Sequence, residues 1–254
     1  MAVSPLDAGQ VAAKVDDGVG TISFGHPKGN SLPAALLAKM AAEVSAMGAL
    51  PDVRVLVLRS EGTGPFCAGA SFHELQAVKS AEEGARFFMG FARLILAMVR
   101  CPKFIVARIH GKAVGGGVGV TAAADYAIAA PGAAVKLSEL AVGIGPFVVG
   151  PVIERRIGTS SMSHLAIDAT GWRDANWARE KGLYAQVVES AEELDDAVGS
   201  VAKQLAASNP EAMARMKEVF WVGTEHWEEL LPARAAMSGK LVLSEFAQKA
   251  IKGR

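Results

Sequence analysis

Short apolar runs of strand length alternate with helical periodicity along most of this chain, and this alternation restricts the possible folds more than any other feature. Val53 to Leu58 and Phe104 to Ile109 are apolar runs typical of strands that are buried on both faces. Between them, Ala81 to Arg100 has apolar side chains at helical spacing and is followed by Pro102. Strands that alternate with helices in this way predict an α/β fold with a parallel sheet.

The two ends of the chain differ from this central pattern. Val11 to Phe24 contains two strand-like runs around an Asp-Asp-Gly turn, which predicts an opening hairpin. Pro33 lies near the start of the helix that follows, and Ser31 is a candidate for its N-cap. Towards the other end the periodicity is helical only. We therefore expect an α/β core with the functional site over residues 1–190 and a helical region over residues 191–254.

Charge and cysteine content exclude several classes of function. Lysine plus arginine and aspartate plus glutamate both number 26 in the 254 residues, so the formal net charge is zero. This balance argues against a nucleic-acid or anionic-membrane partner, because a neutral chain lacks the long-range positive field that such binders use, and it leaves only local basic patches open. Only Cys67 and Cys101 are present, without metal-ligand spacing, so we expect no metal and a reducing compartment. A leader pattern and a long apolar run are also missing from the sequence, which leads us to expect a cytoplasmic protein.

The segment from Val106 to Asp125 is the most informative for function. An apolar run leads into three consecutive glycines at 115 to 117 and then into a helix of small residues. Glycines let the backbone approach a ligand closely, and the free N–H groups at a helix start attract negative charge. Such a turn is suited to holding an oxyanion, and a tightly packed connection without a ligand is the alternative.

The same segment also matches the loose dinucleotide-binding pattern G-x-G-x-x-A. Gly117, Gly119 and Ala122 satisfy it, and Glu139 follows Gly119 by 20 residues. The acidic residue of that pattern belongs at the end of the next strand, whereas Glu139 lies in a loop-like segment well beyond that strand. We therefore regard a dinucleotide-binding oxidoreductase as the weakest of the alternatives.

Four segments in order along the chain resemble the crotonase (enoyl-CoA hydratase/isomerase) superfamily: FGHPKGNSL, GPFCAGASFHEL, VGGGVG and LSELAVG. The resemblance covers essentially the whole chain. It implies a spiral of repeated ββα units with a helical C-terminal region. It also implies an acyl-CoA thioester substrate, with coenzyme A as part of the substrate and not a separate cofactor. Members of the family usually form homotrimers or dimers of trimers.

The resemblance also assigns roles to individual residues. It implies that the backbone N–H groups of Ala70 and Gly116 form an oxyanion hole and that Glu139 is the general acid/base. The apolar neighbours of Glu139 agree with this role, because desolvation raises the pKa of a carboxyl group towards operating pH. Further contacts with the substrate are expected from Lys28, Ala68, Gly69, Gly115, Gly117 and Phe147.

The sequence departs from the family pattern at the position of its first glutamate. Gly119 stands where hydratases have that residue, so the pair of carboxylates that holds the attacking water is incomplete. Isomerases of the family operate with the later glutamate alone, and Glu74 is the nearest candidate for a second carboxylate. A hydrolase or decarboxylase of the same family and a non-catalytic CoA-binding paralogue remain alternatives.

Overall fold

The computed structural model describes residues 9–253, which contain nine strands and ten α-helices. The strands are β1 (Gln10–Asp16), β2 (Val19–Gly25), β3 (Val55–Ser60), β4 (Phe104–Ile109), β5 (Ala113–Val114), β6 (Tyr126–Ala129), β7 (Ala134–Lys136), β8 (Arg173–Asp174) and β9 (Gln186–Val187). The helices are α1 (Ala34–Ala49), α2 (Phe72–Ala77), α3 (Ala81–Arg100), α4 (Gly116–Ala123), α5 (Gly150–Ile167), α6 (Ala175–Glu180), α7 (Leu194–Ala206), α8 (Pro210–Phe220), α9 (Trp227–Leu241) and α10 (Glu245–Lys252). A short 3₁₀ turn covers Leu140–Val142.

Six strands form the central sheet in the order β1-β2-β3-β4-β6-β9. The pairs from β2 to β9 are all parallel, and only the β1–β2 hairpin is antiparallel. Its turn contains Asp17 and Gly18 with φ of 45° and 78°, the left-handed pair that a two-residue hairpin requires. The predicted α/β class, the hairpin and the buried central strands are therefore confirmed.

A second sheet of three short strands, β5-β7-β8, lies beside the end of the central sheet at which the glycine-rich turn begins. Ala113 of β5 forms a parallel bridge with Cys67, and Leu32 forms another with Ala70. The segment from Cys67 to Ala70 thus lies between the start of α1 on one side and the glycine-rich turn on the other. This arrangement brings together two motifs that are far apart in the sequence.

Helices α9 and α10 pack into the same hydrophobic core as α1 and α3. Helices α7 and α8 pack instead into a second apolar cluster with strands β3, β4 and β6. The boundary at residue 190 stays a prediction. Helix α9 crosses α3 in backbone contact: a Cβ on Gly84 would lie 2.7 Å from Cα of Gly239. Helix α8 is anchored by Lys217, whose buried ammonium group donates to Asp125 Oδ2 and to the carbonyl of Met98. A buried charge is tolerated there because its hydrogen bonds are satisfied.

The expected cap of α1 is wrong. Pro33 occupies the N-cap position and has no side-chain cap, while Ser31 Oγ bonds Nδ1 of His26. The N–H of Ala34 donates instead to Oε2 of Glu74 at 2.8 Å. A carboxylate from another helix therefore satisfies the donor and stabilises the positive end of α1.

Within residues 9–253, none of the helices combines the length and apolar composition that crossing a membrane requires. The same residues contain no cluster of three or more His, Cys, Asp or Glu side chains that could hold a metal ion.

Candidate active site

A pocket of about 590 Å³, including the part open to solvent, lies where the Cys67–Ala70 segment meets the glycine-rich turn. Most of its walls are apolar, and they come from the two motifs, from α2, α3 and α9, and from the loop before α5. The lining residues are Ala68, Gly69, Ala70, Phe72, Leu75, Phe88, Phe91, Val114, Gly115, Gly116, Ser138, Glu139, Val142, Ile144, Gly145, Pro146, Phe147, Val148, Val149 and Ser238.

Two glycines with positive φ allow the pocket walls to approach each other. Gly115 has φ of 52°, and a Cβ there would lie 2.9 Å from Oε1 of Glu139. Gly69 has φ of 89°, and a Cβ there would lie 2.8 Å from the carbonyl oxygen of Val114 and 3.7 Å from the nitrogen of Gly116. Any side chain at either position would be strained and would push the two segments apart.

The backbone N–H groups of Ala70 and Gly116 have no hydrogen-bond acceptor among the described residues. Gly116 is the first residue of α4, so its N–H cannot bond within the helix. The donors next to them are occupied: Leu32 N–H bonds the Gly69 carbonyl, and Gly115 N–H bonds the Lys136 carbonyl. Both N–H groups belong to residues that line the pocket.

Glu139 lies at the N-cap position of the 3₁₀ turn and lines the same pocket. The residue as a whole is partly exposed, but its Oε2 is buried and has no partner within residues 9–253. Burial raises the pKa of the carboxyl group from 4.5 to about 7, and its own backbone N–H lowers the pKa slightly. Near neutral pH this group can therefore both accept and donate a proton.

Glu139 is the only ionisable side chain among the lining residues. The remaining polar side chains of the lining are those of Ser138 and Ser238. Gly119 does not line the pocket, and a Cβ there would lie 2.6 Å from Cγ1 of Val149, which does line it. The apolar side chain of Val149 thus occupies the space next to position 119, where hydratases of the family have their first glutamate.

The aromatic face of α3 closes one side of the pocket. Phe91 packs so tightly on the glycine turn that a Cβ on Gly116 would collide with its ring. Phe87 contacts Phe91 edge to face, with ring centroids 6.2 Å apart. This stacking fixes the orientation of the ring that covers the Gly116 backbone.

A network around Asn30 holds the Cys67–Ala70 segment from the other side. Asn30 has φ of 56°, and its side-chain amide donates to the carbonyls of Glu61 and Pro65 at 2.8 and 2.9 Å. The carbonyl of the adjacent Gly29 accepts from Ala68 N–H at 3.0 Å. The motif FGHPKGNSL contains this Asn, but the sequence does not reveal which carbonyls it binds.

The structure brings most of the sequence-predicted residues to one place. Ala68, Gly69, Ala70, Gly115, Gly116, Glu139 and Phe147 all line the pocket. Gly117 lies outside the lining, and a Cβ there would be 2.7 Å from the Cβ of Cys67. Lys28 is exposed and also lies outside the lining. Roles in substrate binding for these two residues stay predictions.

Three side chains near the motifs do not belong to the pocket. Glu74 caps α1 as described above, and His73 is exposed to solvent. Cys67 is buried, and burial raises the pKa of its thiol to about 12. Such a thiol is a packed side chain and not a nucleophile, because the thiolate is the reactive form.

Comparison with known proteins identifies the family of this chain. The sequence model of the enoyl-CoA hydratase/isomerase family matches residues 14–253. The match covers nearly the whole chain, and it defines the class of protein as an acyl-CoA enzyme. The chain belongs to the enoyl-CoA hydratase/isomerase family, and the resemblance seen in the sequence is confirmed.

Individual relatives span most of the chain. A probable enoyl-CoA hydratase of Bacillus subtilis is 26% identical over 95% of this chain and 94% of its own length. A peroxisomal Δ(3,5)-Δ(2,4)-dienoyl-CoA isomerase of Arabidopsis thaliana is also 26% identical, over 83% of this chain and 80% of its own. The crystal structure of an enoyl-CoA hydratase from Bacillus halodurans superposes with a TM-score of 0.88 at 21% identity, over 96% of this chain and 99% of that one. The fold is therefore the crotonase fold.

Proposed function

We propose that this enzyme isomerises an enoyl-CoA thioester, moving the carbon–carbon double bond from position 3 to position 2. The observation on which the proposal depends is that the pocket lining contains one carboxylate, Glu139, and no second ionisable side chain. One carboxylate is sufficient to transfer a proton between two carbons of the same substrate. Addition of water would need a second group to orient and deprotonate the nucleophile.

In the first step, Glu139 removes a proton from C2 of the 3-enoyl thioester. The electrons of the broken C–H bond move onto the thioester oxygen and form a dienolate. The protonated Glu139 then donates the same proton to C4, the double bond forms between C2 and C3, and the carboxylate is regenerated. A pKa of about 7 suits both halves of this cycle at neutral pH.

The N–H groups of Ala70 and Gly116 are proposed to hold the thioester oxygen. They belong to adjacent walls of the pocket and have no acceptor among the described residues. Because negative charge develops on that oxygen in the dienolate, two fixed donors stabilise the transition state more than the ground state. Loss of one such donor typically costs about 2.7 to 4 kcal/mol.

Coenzyme A is proposed to enter as part of the substrate. The predicted phosphate contact is Lys28, whose neighbour Gly29 bonds the pocket-lining Ala68. Gly117 is proposed to contribute indirectly, by allowing α4 to pack against Cys67 beneath the turn. An acyl-CoA substrate accords with the activity of the family as a whole.

A homotrimer or dimer of trimers is the proposed assembly, and a cytoplasmic location stays a prediction. Apolar side chains exposed together at the end of α8, with another on α10, support an assembly, because clustered apolar surface often marks a protein–protein interface. They are Val219, Phe220, Val222 and Phe246, which are 67, 50, 60 and 66% exposed.

The test compares two Glu→Gln variants with the wild type. Glu139→Gln keeps the shape of the side chain but cannot exchange a proton, so isomerisation of 3-hexenoyl-CoA should fall by about 100-fold or more. Glu74→Gln is the matched control, because its carboxyl caps α1 outside the pocket, and it should retain wild-type turnover. Equal turnover by Glu139→Gln and the wild type would refute the proposal.

A further inference from the structure

Helix α9 closes the end of the pocket that is remote from the glycine-rich turn. Its Ser238 lines the pocket and is 1% exposed. The next residue, Gly239, touches the backbone of α3: a Cβ there would lie 2.5 Å from both the Ala81 carbonyl oxygen and the Ala85 nitrogen. The two helices cannot approach further, and neither can a chain pass between them at this point.

Two contacts made by helix α3 give the distance between the two ends of the pocket. Phe91 packs on Gly116, whose N–H is proposed to bind the thioester oxygen, and Gly84 packs on Gly239. Phe88 lies between them on the same face and also lines the pocket. Seven residues separate Gly84 from Phe91, which corresponds to about 10 Å along a helix axis.

From this geometry we infer that the substrate carries an apolar acyl chain of at most about eight carbons, and that Ser238 sets this limit. An extended chain advances about 1.2 Å per bond, so a span of about 10 Å accommodates about eight bonds. The inference rests on the proposed function for the position of the thioester. The walls between the two ends are aliphatic and aromatic, which favours a chain without polar groups.

Ser238 offers no strong polar interaction that would contradict an apolar chain. Its hydroxyl donates within its own helix to the Arg234 carbonyl at 3.3 Å. This back-bonding satisfies the hydroxyl without a ligand. The small side chain of Ser238 therefore limits the length of the pocket at this end, and a larger side chain at this position should shorten the space for the acyl chain.

The test measures binding of saturated acyl-CoA thioesters, which requires no turnover. Isothermal titration calorimetry with butanoyl-, hexanoyl-, octanoyl- and dodecanoyl-CoA should show affinity rising at least tenfold from butanoyl to octanoyl. Dodecanoyl-CoA should bind at least tenfold more weakly than octanoyl-CoA. Affinity that continues to rise through dodecanoyl-CoA would overturn the inference.

Variants at position 238 identify the residue that sets the limit. In Ser238→Leu, the chain length that binds most tightly should become shorter by at least two carbons. Met237→Leu is the control, because Met237 is 47% exposed on the same helix and outside the lining, and it should keep the wild-type order. If thermal unfolding shows that Ser238→Leu does not fold, Ser238→Val should give a smaller change in the same direction. A folded variant with the wild-type optimum would overturn the role of Ser238.

The outcome separates this inference from the proposed function. An optimum near eight carbons in a protein that turns over no enoyl-CoA would support the length limit and refute the isomerase. Turnover of enoyl-CoA with no optimum in chain length would support the isomerase and overturn the length limit.

Discussion

Val149 fills the space in front of Gly119, with its Cγ1 and Cβ at 2.6 and 2.7 Å from the position that a Cβ on Gly119 would occupy. The side chain of Val149, at the start of α5, therefore leaves no space for a carboxylate at position 119. A glutamate at position 119 cannot simply be added, because the clash involves the branched part of Val149 and not the end of a flexible side chain.

Restoring a second carboxylate should require two substitutions. Gly119→Glu alone is expected to lower the Tm and both activities, because it overpacks the contact with Val149. Gly119→Glu combined with Val149→Gly removes the clashing atoms and should raise the ratio of hydration to isomerisation at least tenfold. The ratio is measured on 2- and 3-hexenoyl-CoA, with Val149→Gly as the comparison variant. A folded double variant with the ratio of Val149→Gly would contradict this explanation.

Burial of Glu139 should make the protein less stable as pH rises. Its pKa is raised to about 7 in the folded protein, so the folded state binds the proton more strongly than the unfolded state between pH 4.5 and 7. The contribution of the neutral Glu139 carboxyl group to stability is fully present below pH 4.5, and it is lost as pH rises through 7, where the buried group must become charged. Glu139→Gln removes this pH dependence. At 1.36 kcal/mol per pKa unit, the unfolding free energy of the variant minus that of the wild type should therefore be about 3 kcal/mol larger at pH 8 than at pH 4.5.

Denaturant titrations of both proteins at the two pH values measure this difference. The control is Glu74→Gln, whose carboxyl accepts a hydrogen bond from Ala34 at the surface. A difference between Glu139→Gln and the wild type that is the same at pH 4.5 and pH 8 would show that Glu139 is not buried as a charged group.

The same pKa predicts the pH dependence of the reaction. Because the carboxylate must accept the first proton, kcat/KM should fall about tenfold per pH unit below 7 and stay constant above it. Initial rates with 3-hexenoyl-CoA between pH 5 and 9 give the profile. An inflection near pH 4.5 would show that Glu139 behaves as a solvated carboxylate.

Asn30 should affect catalysis through the position of the Ala70 N–H. Asn30→Asp replaces the side-chain amide, which donates to the carbonyls of Glu61 and Pro65, by a carboxylate that only accepts. The loop that contains Asn30 should therefore shift, and the segment at Ala68 should shift with it because Ala68 N–H bonds the Gly29 carbonyl. We expect kcat to fall at least tenfold while the affinity for octanoyl-CoA changes less than threefold. Asn209→Asp is the matched control, because Asn209 caps α8 at the surface and aspartate caps equally well. Proportional losses in kcat and affinity would indicate general unfolding and not a positioning role.

Much of this fold follows from local sequence signals. Helix α3 begins and ends where the periodicity and Pro102 predict, because a strongly amphipathic segment and a helix-stopping residue specify it locally. The burial of Glu139 was also predictable, since apolar neighbours on a short turn leave its carboxyl little access to water.

Contacts between distant segments were not predictable in the same way. The cap that Glu74 supplies to α1, and the fit of Val149 against Gly119, both depend on how separate elements pack. The role proposed for Ser238 depends on the crossing of α3 and α9, whose angle and depth are set by the pair Gly84 and Gly239. A single glycine within a helix does not predict a helix–helix contact, because its role depends on which helix packs against it.

The most direct test of the single-carboxylate account is the ratio of two initial rates for the wild-type enzyme, isomerisation of 3-hexenoyl-CoA and hydration of 2-hexenoyl-CoA, at pH 8. The account predicts that isomerisation is at least tenfold faster and that Glu139→Gln abolishes it. Hydration that is the faster reaction, at rates of about 10 per second or more as in efficient enzymes, would contradict it.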